Sequence, residues 1–170
     1  MLFCQQLFAD TITVCSSCKY QSIKSSINAA KPFDTIYINK GTYKEYDIQI
    51  KKPLTIIGKD YPLIDGEEKG EIMTIISDSV SVSGLFLKNV GLSYTEDYAA
   101  IRIRNSKHFE IKNLVLERLF FGIYIEKSNY GKIYHNKIVG DAKHEYNSGN
   151  GIQLWYSNHI EIEHNYVQGV

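Results

Sequence analysis

Three stretches decide the fold: Ala100-Ile-Arg-Ile-Arg-Asn-Ser106, Gly122-Ile-Tyr-Ile-Glu-Lys-Ser128 and Gly151-Ile-Gln-Leu-Trp-Tyr-Ser157. They align without gaps. The first pair is offset by 22 residues and the second by 29, the same period with a seven-residue insertion, His144 to Asn150. A second alternation follows each at a matching distance: Phe109-Glu-Ile111, Gly131-Lys-Ile133 and Ile160-Glu-Ile162. Val115-Leu116, Ile138-Val139 and Val167 then mark a third short strand. Looser copies start near Ile48 and near Met73.

Three short strands per period of about 22 residues predict an all-β, right-handed parallel β-helix, each period one coil. Alternate side chains of a strand point to opposite faces. The inward residues therefore stack, Ile101 on Ile123 on Ile152 and Ile103 on Ile125 on Leu154. No coil can bury its own apolar face, so stability is a sum over neighbouring coils. The repeated Ile-x-His-Asn places Asn136 and Asn165 in one corner column, below Leu114 of the preceding coil. Composition agrees: 23 Ile, 8 Val, 13 Tyr and 7 Phe against 6 Ala suit pleated surfaces.

At 170 residues the chain is expected to be a single domain over 10–170. Lys+Arg and Asp+Glu are 19 each, which argues against a nucleic-acid binder. No run of eighteen apolar residues offers a membrane span. One helix is predicted, Tyr20 to Lys31, with Ile23, Ile27 and Ala30 on one face and Pro32 ending it. It would cap the first coil and blunt its exposed edge. Val170 falls inside a coil, as in a fragment lacking its C-terminal coils. Met1 to Ala9 reads either as the remnant of a signal peptide, which implies export, or as a frayed strand.

Chemistry-bearing residues are few. Cys15-Ser-Ser-Cys18 admits three readings: a disulfide in an oxidising compartment, a thiolate pair for Cu(I), or two incidental cysteines. His135 and His164 occupy equivalent positions in adjacent coils and are candidate metal ligands, although Asn113 in the same column marks it equally as a polar corner. Cys15, Cys18, His135 and His164 are thus the metal-site candidates. His108 and His159 lie near turns. The polar insertion, with His144, Glu145, Tyr146 and Asn147, is a candidate contact surface.

Two outward columns are predicted, Arg102–Tyr124–Gln153 and Arg104–Glu126–Trp155, with Arg104 and Glu126 pairing across coils. Tyr124, Trp155 and Tyr156 could offer aromatic platforms to a sugar. The nearest acids, Asp97, Glu126 and Asp141, share no column, so a polysaccharide-cleaving site is not expected.

Several strings carry a resemblance to a known family. They are Gly41-Thr-Tyr43, Lys52-Pro-Leu-Thr-Ile-Ile-Gly58, Pro62-Leu-Ile-Asp-Gly66, Glu96-Asp-Tyr-Ala-Ala-Ile-Arg102, Phe121-Gly-Ile-Tyr124 and Gly149-Asn-Gly-Ile-Gln-Leu-Trp155. The chain resembles the NosD family, β-helical proteins of nitrous oxide reductase maturation. The resemblance implies a periplasmic, non-enzymatic accessory protein working with the ATPase and permease subunits of an ABC-type transporter. It would be peripheral to the membrane through the permease and would help deliver copper to the reductase. The alternative is a carbohydrate-binding or polysaccharide-degrading β-helix.

Overall fold

The computed structural model describes residues 9–93, 95–141 and 149–170. The chain winds through about six turns of a parallel β-solenoid. Three parallel sheets run along its length. Sheet A has seven strands: Thr11–Val14, Thr35–Ile38, Thr55–Gly58, Ser81–Ser83, Glu110–Lys112, Asn129–Tyr134 and Asn158–Glu163. Sheet B has six: Thr42–Lys44, Leu63–Asp65, Phe86–Lys88, Val115–Glu117, Lys137–Val139 and Tyr166–Gln168. Sheet C has five: Ile48–Ile50, Met73–Ile75, Ala99–Arg104, Phe121–Glu126 and Ile152–Trp155. Each coil visits A, B and C in turn, so every strand pairs with the strand one coil away.

The register is the one the repeats predict. Ile101 pairs with Ile123 and Ile123 with Ile152, while Met73 and Ile48 continue the same column. Ile48, Met73, Ile101 and Ile123 are fully buried. In sheet A, Ile36, Ile56, Val82, Ile111 and Ile133 stack likewise. The looser N-terminal copies are therefore true coils whose turns vary in length.

The corners explain the remaining repeat residues. Ser106 and Ser128 are fully buried, and their backbone N–H groups donate to the Oγ of Ser128 and Ser157, both at 3.1 Å. Asn136 Oδ1 accepts from the Leu114 N–H at 3.0 Å, and Asn165 Oδ1 accepts from the Asn136 N–H at 3.0 Å. The Nδ2 groups of the two asparagines donate to the carbonyls of Ile111 and Ile133. These side chains satisfy backbone groups that the bend takes out of the sheets. The bends themselves use the left-handed region. Of eighteen non-glycine residues with positive φ among those described, nine are Asn, Asp or His, the types that tolerate it best.

The helix is shorter than predicted, Ile23–Ala29 rather than Tyr20 to Lys31. Ser22 caps it, accepting from the Ser25 N–H at 3.2 Å, while Tyr20 forms a bridge with Val14 instead. At the far end the buried Asp34 carboxylate accepts from the N–H of Lys31 and of Asp10, each at 2.8 Å. That contact ties the exit to the first strand of sheet A, and Ala30 is already extended. Ile23, Ile27 and Ala30 are buried as expected, and the helix packs on the first strands of sheets A and C. Charged groups from the first coil complement its dipole. Glu45 accepts from the N–H of Ile23 (2.7 Å) and Lys24 (3.0 Å), and Lys52 Nζ donates to the Ala30 carbonyl (2.5 Å). Among the described residues no helix is long and apolar enough to cross a membrane.

Candidate functional site

Cys15 and Cys18 follow the first strand of sheet A and are joined to one another as a disulfide. Their sulfurs are therefore not thiolates, and a soft-metal pair does not exist in this form. His135 and His164 lie in the last two coils, at the opposite end of the solenoid. The structure does not bring the four candidate metal ligands together.

The two histidines do meet each other. Their rings stack with centroids 5.2 Å apart and planes 11° from parallel. They occupy one left-handed corner column, which continues upward through Asn113 (φ 52°) and Gly84 (φ 69°). Imidazole lone pairs lie in the ring plane, so in stacked, near-parallel rings they run side by side instead of converging on one ion. Among the described residues no three His, Cys, Asp or Glu side chains cluster to hold a metal. This donor arrangement does not fit a resident copper ion. A second ladder, unforeseen from the sequence, runs along another corner: His108 stacks on Tyr130 (5.4 Å, 11°) and Tyr130 on His159 (4.8 Å, 21°). Four of the five histidines thus serve as left-handed corner residues whose flat rings pile up at the coil spacing.

Beside the His135–His164 pair, the outer face of sheet A carries alternating charges. Lys132 pairs with Glu161 at 2.9 Å and Lys112 with Glu110 at 2.7 Å. Partial burial pushes the Glu110 carboxyl up. Hydrogen bonds from Lys112, Tyr134 and Ser81 outweigh that and hold it below the usual carboxylate range.

The most developed site lies on the outer face of sheet C. Both predicted columns are present, Arg102–Tyr124–Gln153 and Arg104–Glu126–Trp155, and Thr74 extends the first. Arg104 Nε donates to Glu126 at 3.1 Å, as expected. Arg102, read from sequence as an outward surface residue, is instead buried. Its Nε donates to Glu71 at 2.6 Å and its Nη2 to the Asp97 carbonyl, and its guanidinium lies 4.4 Å from the Tyr124 ring centre. Glu71 also accepts from Thr74 Oγ1 at 2.7 Å. The network joins three coils and fastens the Asp97 backbone against the sheet.

This arrangement revises the expectation for the acids. Glu71, Asp97 and Glu126 converge on one groove of about 400 Å³, although they share no column. Loops before the second and third strands of sheet C bring Glu71 and Asp97 there, and loop positions carry no periodic signal. Asp141 is exposed and does not line the groove. Of the aromatic platforms, Tyr124 is covered by Arg102 and Tyr156 occupies a corner, which leaves Trp155, half exposed, on the groove. His144, Glu145, Tyr146 and Asn147 of the insertion, and residues 1–8 of the candidate signal remnant, lie outside the described residues.

Over 108 residues, 62% of its length, the chain is 29% identical to a protein of Pseudomonas aeruginosa named as a probable ABC transporter binding protein, NosD. The chain is similar to NosD. The match takes in 25% of the relative, so it spans about a quarter of NosD and leaves the larger part unmatched. The family resemblance read from the motifs is borne out. No protein-family model matches the chain. Among solved structures, a pectin methylesterase in complex with a hexasaccharide is 13% identical and superposes with a TM-score of 0.54, covering 92% of this chain and 66% of that one. The pectin methylesterase of Aspergillus niger, 12% identical, gives 0.49 over 96% of this chain and 87% of that one. At this identity the first likeness establishes the shared pectin-lyase-like solenoid and nothing about activity.

Proposed function

We propose that this chain is a NosD-like accessory module, exported and acting beside an ABC-type transporter during assembly of the copper site of nitrous oxide reductase. The carrying observation is the similarity to NosD, together with a parallel solenoid whose register is the one the repeats predict. The Cys15–Cys18 disulfide supports an oxidising location, the periplasm in a bacterium. In this reading the module is a rigid docking arm between the reductase and the transporter permease. Copper is cargo of the assembly and not a resident ion, in keeping with the stacked histidines and the oxidised cysteine pair.

The role is binding and not turnover. Of the groove carboxylates, Glu71 is held by Arg102 and Thr74, and Glu126 by Arg104, so these two are committed to structural pairs and are not poised as a general acid and base. The test is deletion of the gene in its host followed by measurement of copper in purified nitrous oxide reductase. Copper-deficient reductase, restored by the wild-type gene, is the expected result. Fully loaded reductase in the deletion strain refutes the proposal.

A further inference from the structure

We infer that the groove on sheet C is a binding site for a neutral, unbranched oligosaccharide lying along the solenoid axis. The inference rests on the groove's geometry and charge and is independent of the accessory role.

The groove crosses all five strands of sheet C, from Gln49 to Trp155, a span of roughly 19 Å at the usual inter-strand spacing. Its floor repeats at that spacing, which suits a polymer of ring-sized units. The three inner strands of sheet C pair on both sides, so no backbone edge is open to a peptide. Recognition must come from side chains. The charge balance selects further: Glu71, Glu96, Asp97 and Glu126 face two arginines, a formal surplus of two negative charges. That surplus disfavours uronates and other polyanions.

The remaining groups match a neutral sugar. Trp155 offers an apolar face beside Glu126, the kind of surface on which the C–H face of a pyranose packs. Arg104, nearly half exposed, is bonded to Glu126 through Nε, and the pair brings guanidinium donors and carboxylate acceptors to the groove. The buried Arg102–Glu71 network keeps this surface rigid, which lowers the entropic cost of binding.

Trp155 is the sole tryptophan, so its fluorescence reports on the groove directly. The full chain is titrated with cellohexaose, maltohexaose, chitohexaose, hexagalacturonate and hexalysine. A saturable change with at least one neutral hexasaccharide is expected, with hexagalacturonate and hexalysine weaker. Calorimetry on Arg104→Ala and Trp155→Ala, each checked for folding by circular dichroism, should show an affinity loss of about tenfold or more. Arg104 is exposed, so its variant remains informative if Trp155→Ala misfolds. The inference is overturned if no neutral hexasaccharide saturates at millimolar concentration. Tighter binding of hexagalacturonate or hexalysine, or parental affinity in folded Arg104→Ala, overturns it equally.

Discussion

Phe109 and Gly131 face each other in one inward column of sheet A, between Val80 and Ile160. Phe109 is fully buried, and its ring fills the space that a side chain at position 131 would need. A Cβ added to Gly131 would stand 2.0, 2.3 and 2.6 Å from three ring carbons of Phe109. The Gly131 backbone is not in the left-handed region, so a side chain there is opposed by the ring and not by its own backbone conformation. Gly131→Val should therefore destabilise by at least the 1–3 kcal/mol of ordinary overpacking, roughly. Phe109→Val opens a cavity, at a cost of about 2–4 kcal/mol, below the range for Phe→Ala. The double variant builds a Val-Val-Val-Ile column of even size and removes a glycine from a strand interior. It should lie within about 1 kcal/mol of the parent, a favourable coupling of at least about 2 kcal/mol, at or above the upper end of the usual range for touching residues. Urea unfolding followed by far-ultraviolet circular dichroism reads all four proteins, with unchanged m-values required because solenoids can unfold in parts. Losses that merely add, within about 0.5 kcal/mol, would show that the two residues do not share the space.

Three further outcomes follow from the same structure. Asn136→Ala leaves the Leu114 N–H and Ile111 carbonyl without their partner in a buried corner, and should cost about 2–3 kcal/mol in urea unfolding; Asn165→Ala, in the last coil, should cost less. Arg102→Met leaves Glu71 without its charge partner near the sheet and should destabilise by about 3 kcal/mol, the low end for a broken buried pair because both side chains keep some exposure; limited proteolysis should then cut first beside Asp97, whose carbonyl Arg102 holds, and an uncut chain there would count against the network's role. The folded-state pKa values of Glu110 and Asp65 are both depressed. For Asp65, desolvation raises it, but hydrogen bonds from Asn89 and the Glu67 N–H and the charges of Lys44 and Lys88 prevail. Stability from these groups is complete above their unfolded values, about 4, and is lost as pH falls from there through the lower folded values. Thermal melts should drop below about pH 4, and Asp65→Asn with Glu110→Gln should flatten that slope.

The architecture was legible because a solenoid converts sequence period into spatial neighbours. Ile101, Ile123 and Ile152 sit at one phase of a near-constant repeat, so aligning the copies is the same act as stacking them. The corner asparagines and the Arg104–Glu126 pair follow from that phase, and the buried face of the helix from its own i, i+4, i+7 spacing. The same logic fails where the chain leaves the period. Glu71 and Asp97 lie in turns of unequal length, and only the path of those turns brings them to Arg102. Arg102 itself alternates as an outward residue should, and loops folded over the sheet bury it. The helix ends early because Asp34 and Ser22 claim its terminal groups.

The sequence by itself determined the strand pattern, the coil register and the similarity to NosD, since each depends on residue order along the chain. Tertiary structure alone decided which polar groups meet: the disulfide over the thiolate pair, two stacked aromatic corners over a convergent ligand set, and a charged groove with one open indole. Those outcomes depend on loop paths and ring orientations, for which neighbouring residues in sequence supply no restraint.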